Sequence, residues 1–325
     1  ILNSSSWSNN YNWAWNRQAI PGDEECVSIF DDKLDRLPLY LTKVLPTTAW
    51  DPYWFEYLPD DRMLYFQYNE VKDRSEKPFQ EFMVELFKTF DENASEIDFF
   101  VVDLRFNGGG DEPLLIPLIE EFRKREAQLN RGKLYLITGR ETFSAASMFI
   151  GRMLMYTSAI TVGDFTATPL NFSSDAIMYS LPGSDLRINI SRMYTQNGHP
   201  MDKRGSYPPD YYIPSLSRDY FTRIDPVLEA IKSHKVVSLK DVIFHDGTEK
   251  FWLELSQREK TGEPMKKWFP YTSYDLTLYT YQTLIPAGKF GEALAISKLN
   301  TDLYPDEIYA WFILAMIYEK LGELD

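Results

Sequence analysis

Residues 99–110 read FFVVDLRFNGGG, an unbroken apolar run that ends in a charged step and opens into three glycines. Such an apolar run is typical of a parallel strand that is covered on both faces. Consecutive glycines carry a backbone entropy cost, so they indicate a backbone that approaches something closely or turns its N–H groups outward. The stretch therefore predicts a buried strand followed by a loop of backbone donors. Asp103 and Arg105 are expected to hold the corner between strand and loop through hydrogen bonds.

A second strand leads into a turn at residues 134–149, which read LYLITGRETFSAASMF. Here an apolar strand passes through a turn into an apolar helix, and Ser144 lies at the turn. Backbone donors together with a serine at the start of a helix are components of an acyl-transfer site. By itself Ser144 also fits a plain helix cap, and the glycines also fit a tight turn.

The order of elements along the chain indicates an α/β fold. Apolar strands at 99–104, 134–138 and 159–162 alternate with helical patterns at 114–129 and 144–156. This alternation predicts parallel pairing of the strands, with helices packed on the sheet.

The chain is predicted to contain four segments. Glycine–leucine patterns near residues 288 and 321 recur at roughly the 34-residue spacing of tetratricopeptide repeats, which predicts a small all-helical segment at the end of the chain. Within the core, short strands are expected around the turn at residues 181–184. The predicted segments are an irregular one at 1–60, a core at 61–236, a connecting segment at 237–272 and the helical segment at 273–325.

Composition excludes several classes of function. The 325 residues carry a formal net charge of −14 and contain no block rich in lysine and arginine, so a nucleic-acid partner is not expected. No apolar run approaches the length of a membrane span. The single cysteine, Cys26, excludes an internal disulfide and a multi-cysteine metal site.

Five ordered motifs resemble those of the S41 serine peptidases, which include tail-specific (carboxy-terminal processing) proteases and the tricorn protease core. The first resembles the family's D-[LV]-R-x-N-x-G-G signature, the second its T-x-S-A-[AS] nucleophile motif, and the third its V-G-E-x-T segment. The last two resemble the Pro-Asp and the D-x-x-L helix that close the domain. The motifs lie at residues 103–110, 142–146, 162–166, 202–210 and 225–228. The likeness is nearest to members that lack an internal PDZ domain and carry a helical C-terminal extension.

The resemblance implies a ClpP/crotonase-like α/β core that hydrolyses peptide bonds in extended or unfolded chains. It implies that Ser144 is the nucleophile, and that the N–H of Ala145 and one N–H from Gly109 or Gly108 form the oxyanion hole. A serine at a helix N-terminus lies at the positive end of the helix dipole, and one good backbone donor contributes about 3–4 kcal/mol. No metal or organic cofactor is implied.

The general base that a catalytic serine needs is not visible in the sequence. One branch of the family uses a lysine that follows the nucleophile, but Pro169 occupies that position and no lysine lies between Lys133 and Lys203. The tricorn branch uses an upstream histidine, whereas every histidine of this chain follows Ser144. The three are His199, His234 and His245. The base is therefore expected before Ile1, or else the protein has lost it and is a pseudo-enzyme.

Asp202 is the candidate for the acidic residue that supports the base in the tricorn branch. It lies one residue from the expected position, which Lys203 occupies. The alternative is a surface loop charge paired with Lys203 or Arg204. Asp164 stands where the family has glutamate and is interpreted as structural.

Three functional hypotheses follow. The first is a serine peptidase that acts on a peptide or unfolded protein. The second is a catalytically inactive module of the same fold that binds a ligand or peptide. In the third, the C-terminal helices carry the function and form a docking surface for a protein partner. The resemblance further implies a location outside the cytoplasm, in the periplasm, in the cell envelope or in the secreted fraction.

Overall fold

A computed structural model describes part of the chain, and all structural statements concern that part. The three histidines, Lys203, Cys26 and most of the predicted irregular and connecting segments lie outside it. The described residues are 38–41, 51–129, 132–184, 186–198, 200, 202, 204–214, 216, 219, 222–233, 242, 246–260 and 273–322. The chain divides into two compact units: the first comprises residues 1–167 with 213–235, and the second comprises 168–212 with 236–325.

The first unit contains strands and helices in alternation. Within its described residues the strands are β1 (Tyr53–Leu58), β2 (Met63–Tyr68), β3 (Phe99–Asp103), β4 (Leu134–Thr138) and β5 (Ile160–Gly163). The helices are α1 (Phe79–Glu92), α2 (Leu115–Lys124), the single turn α3 (Glu126–Leu129), α4 (Ala145–Tyr156) and α5 (Pro226–Lys232). Short 3₁₀ turns lie at Leu39–Leu41 and Glu112–Leu114.

These five strands of the main sheet are hydrogen-bonded in the order β1-β2-β3-β4-β5. β1 is antiparallel to β2, and the other three pairings are parallel. Asp103 at the end of β3 is paired with Gln67 of β2 and Ile137 of β4. The carboxyl ends of the parallel strands therefore share one edge, and the loops that follow β3 and β4 leave the sheet side by side.

The core of this unit is apolar and rich in aromatic side chains. All five residues of β3 are buried. Phe100 lies with its ring centroid 5.4 Å from that of Phe90 and 5.1 Å from that of Phe122, which come from helices α1 and α2. Aromatic pairs of this kind add to the stabilisation from burial. Helices α1 and α2 therefore cover β3 by packing against its apolar side chains.

The α/β fold class predicted from the sequence is confirmed: a mostly parallel sheet carries flanking helices. One predicted helix is divided, since α2 ends at Lys124 and α3 begins at Glu126. Arg125 lies at the break, where its side chain forms ion pairs with Asp91 and Glu121.

The second unit combines a β-hairpin with helices. Its described strands are β6 (Asn171–Ser180), β7 (Arg187–Gln196) and the two-residue β8 (Tyr211–Tyr212). Its described α-helices are α6 (Thr248–Lys260), α7 (Ser273–Tyr279), α8 (Phe290–Leu303) and α9 (Ile308–Leu321), and a π-helix lies at Thr280–Leu284. The predicted strands around residues 181–184 are therefore longer than expected, with ten residues each in β6 and β7.

The helices of the second unit share an apolar cluster. Buried side chains from α6, α7, α8 and α9 include Phe251, Leu276, Ile296 and Ile313. The predicted helical C-terminal segment is confirmed, and its relation to tetratricopeptide repeats stays a prediction. The structure groups residues 168–212 with these helices, whereas the sequence analysis placed them in the core segment.

A membrane-spanning segment is not found among the described helices, because each is too short or too polar to cross a bilayer.

Candidate active site

The loops that follow β3 and β4 meet at the carboxyl edge of the sheet. A Cβ atom added to Gly139 would lie 3.0 Å from the Cβ of Arg105, so the two backbones touch there. Further along, the N–H of Phe143 donates to the carbonyl of Asn107 at 2.9 Å. The two sequence motifs that first suggested a site are thus neighbours in space.

Ser144 adopts a strained backbone conformation between strand and helix. Its φ is 54° and its ψ is −121°. The N–H of Ala146 donates to the carbonyl of Phe143 at 3.0 Å, which closes a tight turn over Ser144 and Ala145. These angles match the first central position of a type II′ turn, which normally favours glycine. A serine held there between a strand and a helix has the backbone geometry of a nucleophile elbow.

The helix-cap interpretation does not account for Ser144. Its side chain makes no capping hydrogen bond to α4. The next residue, Ala145, is the first of a 12-residue helix, so its N–H lies at the positive end of the helix dipole. Among the described residues, no protein acceptor is found for this N–H.

The glycine loop packs directly on the Ser144 turn. Gly109 has a φ of +95°, and a Cβ on it would lie 2.7 Å from the Cβ of Ser144 and 2.9 Å from the N of Ala145. Gly110 has a φ of +138°, and a Cβ on it would lie 2.1 Å from the carbonyl oxygen of Val71. No other residue type fits either position without displacing the backbone. Gly109 and Gly110 are therefore required for the close approach of the loop to the Ser144 turn and to Val71.

Asn107 fixes this loop in place. Its buried side chain donates from Nδ2 to the carbonyl of Tyr68 at 2.8 Å, and its Oδ1 accepts from the N–H of Gly109 at 2.8 Å. Its carbonyl accepts the hydrogen bond from Phe143. The N–H of Gly109 is consequently engaged within the protein. For the N–H of Gly108, no acceptor is found within the described part of the chain.

Thr142 joins the turn to both strands. Its buried hydroxyl donates to the carbonyl of Leu104 at 2.9 Å and accepts from the N–H of Gly139 at 2.9 Å. Its carbonyl accepts from the N–H of Ala167 at 2.8 Å. Hydrogen bonds of this kind on the flanking residues keep Ser144 in its strained backbone conformation.

A buried ionic network supports the corner from below. Tyr65 donates its hydroxyl to Asp103 at 2.6 Å, and Arg105 donates from Nε to the same carboxylate at 3.0 Å. Arg105 also donates from Nη2 to Asp225 at 2.8 Å. The second oxygen of Asp225 accepts from the N–H of Val227 at 3.0 Å and thereby caps α5. Asp103 and Arg105 thus make hydrogen bonds of the kind that the sequence analysis expected of them.

Arg105 keeps its charge despite burial, whereas burial raises the pKa of the Asp103 carboxyl above its usual value. Burial by itself lowers the pKa of the Arg105 guanidinium, but the carboxylates of Asp103 and Asp225 outweigh it and raise that pKa well above its usual value. Burial, reinforced by the charge of Asp103, raises the pKa of the Tyr65 hydroxyl well above its usual value. The Arg105 guanidinium also lies 4.0 Å from the ring centroid of Tyr40. The corner is therefore a cation held between two carboxylates and an aromatic face.

Asp202 and Asp164 are both held by arginines. Asp202 is buried in the second unit, where its Oδ1 accepts from Arg204 Nε at 2.8 Å. Asp164 follows β5, and its Oδ2 accepts from Arg140 Nε at 2.8 Å. The pairing with Arg204 is the one that the sequence analysis gave as the alternative for Asp202, although the side chain is buried and not on the surface.

The structure brings Ser144, Ala145, Gly108 and Gly109 to one corner of the first unit. Asp202 belongs to the second unit, and its assignment as a supporting acid stays a prediction. The sequence analysis missed Asn107, although it lies inside the quoted motif. Asn107 lies between Phe106 and Gly108, and neither neighbour indicates which backbone groups its side-chain amide contacts.

Part of the chain matches a known protein family, and the chain is similar to several solved structures. Residues 117–213 match the family model for peptidase family S41. Among solved structures, the chain is similar to a candidate S41 protease of Bacteroides fragilis NCTC 9343 (18% identity, 53% of this chain and 54% of that one, TM-score 0.40). It is also similar to a candidate peptidase of Parabacteroides merdae ATCC 43184 (16%, 57% and 65%, TM-score 0.39). A third is a photosystem II D1 C-terminal processing protease (16%, 50% and 48%, TM-score 0.34).

The chain spans between about half and two thirds of the length of these three structures. No curated protein matches it. The matched segment contains the Ser144 turn and Asp202, whereas the glycine loop at residues 108–110 lies before it. This match confirms, over residues 117–213, the resemblance to peptidase family S41 that the sequence motifs indicate.

Proposed function

We propose that this chain is a serine hydrolase that cleaves extended peptide chains through an acyl-enzyme on Ser144. The observation that carries the proposal is the backbone conformation of Ser144. Hydrogen bonds of the flanking residues maintain its φ of 54°, and its side chain does not cap the helix. Strain of this kind persists where the surrounding structure enforces it, and it is concentrated at functional sites. The glycine loop against the same turn supplies the second component of an acyl-transfer site.

The chemistry would proceed in two steps. Ser144 Oγ attacks the peptide carbonyl, its proton passes to a general base, and the carbonyl oxygen becomes an oxyanion. The amine then leaves with that proton, and water hydrolyses the resulting ester to free the serine. None of the described residues is assigned as the base.

The oxyanion hole is proposed to consist of the N–H groups of Ala145 and Gly108. Of the two glycines that the resemblance allowed, Gly109 already donates to Asn107 at 2.8 Å. Gly109 is assigned instead to the close contact with Ser144, and Asn107 to holding the donor loop in position. Backbone donors that are fixed before the reaction stabilise the developing charge without reorganisation.

The substrate is proposed to be an unfolded or extended peptide, and the place of action to lie outside the cytoplasm. Both rest on the resemblance to S41 peptidases, and the family match over residues 117–213 supports that resemblance. Cell fractionation with an antibody to the chain tests the location, since a purely cytoplasmic signal would contradict it.

Labelling by a fluorophosphonate probe tests the nucleophile. We expect labelling that depends on Ser144 and is lost in Ser144→Ala, because the probe forms a covalent bond with an activated serine. Ser147→Ala is the matched control, since this buried serine lies in the same helix and its hydroxyl donates to the carbonyl of Thr142 at 3.4 Å. Its labelling should remain near that of the wild type.

The same measurement is made on this chain and, where the gene encodes residues before Ile1, on the longer product. Labelling of either that depends on Ser144 supports the serine hydrolase. Its absence from both would overturn the proposal and favour the module that binds peptides without cleaving them. Digestion of an unfolded protein such as reduced casein then distinguishes a peptidase from an esterase.

A further inference from the structure

Near its turn, the β6–β7 hairpin presents a face on which six neighbouring side chains are apolar. Ile177 is paired with Ile190 and Tyr179 with Ile188, so each pair lies on the same side of the ribbon. The N–H of Leu181 donates to the carbonyl of Leu186 at 3.0 Å, which continues the ladder to the turn. We call this surface the apolar hairpin face; its members are Ile177, Tyr179, Leu181, Leu186, Ile188 and Ile190.

The opposite face of the same ribbon is polar. Because side chains alternate along a strand, it carries Ala176, Met178 and Ser180 from β6 and their partners Ser191, Asn189 and Arg187 from β7. Met178 is its only large apolar side chain among these six. The hairpin is therefore amphipathic, with the pattern of a sheet whose one side is meant to be covered.

The apolar hairpin face is open in this chain. The exposed fractions of its side chains range from 39% for Ile177 and Leu181 to 65% for Leu186. An isolated two-stranded hairpin is at best marginally stable in water, and a contiguous apolar surface of this size on a soluble protein marks an interaction site. Something two strands wide is needed to cover it.

We propose that the apolar hairpin face is a self-association surface, on which the same face of a second copy of this chain packs. A second hairpin has the matching width, whereas a single extended peptide would cover only one of the two strands. Two such ribbons stacked face to face form the layered arrangement of a small sandwich. The interface is self-complementary about a two-fold axis through the Tyr179–Ile188 pair.

The size and charge of the surface fit this occupant. Six half-exposed side chains of this kind can bury roughly 500 Å² per copy, or about 1,000 Å² in a pair, which is the size of a weak interface whose occupancy depends on concentration. None of the six carries a charge, and the neighbouring Asp175 and Arg192 are paired with each other. The chain as a whole carries −14, so added salt should strengthen association by screening repulsion between copies.

Sedimentation velocity over a range of concentrations tests the proposal. We expect the wild type to form a concentration-dependent dimer, and we expect Ile188→Asp to raise the dissociation constant of this dimer by about 100-fold. Met178→Asp places the same charge on the opposite face of the same hairpin and is the matched control. Its dissociation constant should stay close to that of the wild type.

A cross-linking experiment remains informative if the aspartate variant fails to fold. In a Cys26→Ser background, Ile188→Cys should form an intermolecular disulfide readily, whereas Asn189→Cys on the polar face should not. A wild type that stays monomeric at every concentration would overturn the proposal, as would a dimer that survives Ile188→Asp. Capture of an extended apolar peptide by a monomeric hairpin would likewise replace the second copy with a different occupant.

Discussion

The Ser144 corner and the β6–β7 hairpin each contain a non-glycine residue with the same unusual φ, yet they accommodate it differently. Ser144 has a φ of 54° and Asp175 a φ of 53°. Aspartate adopts positive φ at low cost, and Asp175 lies in an exposed ribbon beside its ion-pair partner Arg192. Serine lacks that tolerance, so its conformation depends on the packed glycines and buried hydrogen bonds around it. The comparison shows that a strained backbone conformation persists where tertiary contacts surround the residue. The hydrogen-bond ladder of an exposed hairpin does not provide such contacts.

The largest test of this comparison substitutes a glycine in each region. Gly110→Ala should destabilise the protein by more than about 4 kcal/mol, because the new Cβ would lie 2.1 Å from the backbone oxygen of Val71. Gly183→Ala, in the hairpin turn, also has a positive φ of +76° but meets no atom within 4 Å. It should cost only about 1 kcal/mol. Urea denaturation measures both, and equal losses would contradict the packed-corner account.

The next test removes one arginine from each region. Arg105→Ala should cost about 3 kcal/mol or more, because it leaves the buried Asp103 and Asp225 without their shared cation. Arg192→Ala breaks the exposed pair with Asp175 and should cost less than about 1 kcal/mol.

A double-mutant cycle between Arg105 and Asp225 sharpens this result. The two residues should show a coupling energy well above that of Arg192 with Asp175, since the first pair is buried. Additive effects at Arg105 and Asp225 would show that the ionic network does not act as a unit. Fluorophosphonate labelling of the same variants then reports whether the network also supports Ser144.

The smallest test uses alkaline pH on the tyrosines of the core. Burial raises the pKa of Tyr65 and of Tyr68 above the usual 10.0. Above pH 10 the unfolded chain loses these protons while the folded protein retains them, so stability that is complete below pH 10 declines as the pH rises. Each tyrosine should contribute a slope of about 1.4 kcal/mol per pH unit.

Phenylalanine variants separate the two contributions. Tyr65→Phe loses the hydrogen bond to Asp103 and should lower stability at neutral pH, whereas Tyr68→Phe should cost little there. Among the described residues, the Tyr68 hydroxyl is buried without a hydrogen-bond partner. Both should reduce the slope of stability against pH in urea titrations near pH 11. An unchanged slope in either variant would show that its hydroxyl does not stay protonated.

Much of the fold was readable from local pattern. The apolar runs at 99–104 and 134–138 appear as β3 and β4, and the stripe of phenylalanines in α1 faces the core. The site was readable in part, because the glycine triplet and Ser144 have conspicuous local compositions. The amphipathic hairpin was read only as short strands, since its apolar and polar positions alternate without the continuous burial that marks a core strand.

The roles of Asn107, Thr142 and Asp225 could not be predicted in this way. Each bonds to backbone or side-chain groups far away in sequence; Arg105 and Asp225 are 120 positions apart. Their side chains have common types in unremarkable neighbourhoods. Only the parallel pairing of β2, β3 and β4 brings the loops together and decides which donors find which acceptors.

The sequence by itself determined the alternation of strands and helices, the glycine loop and the serine turn, because backbone preference and hydrophobic periodicity act over a few residues. The tertiary structure alone decided that Gly109 packs on Ser144 with its N–H engaged by Asn107, and that a cation is held between Asp103 and Asp225. It also decided that one face of the hairpin is left open. The physical reason is that close packing and the desolvation of polar groups depend on neighbours in space, and local sequence does not specify those neighbours.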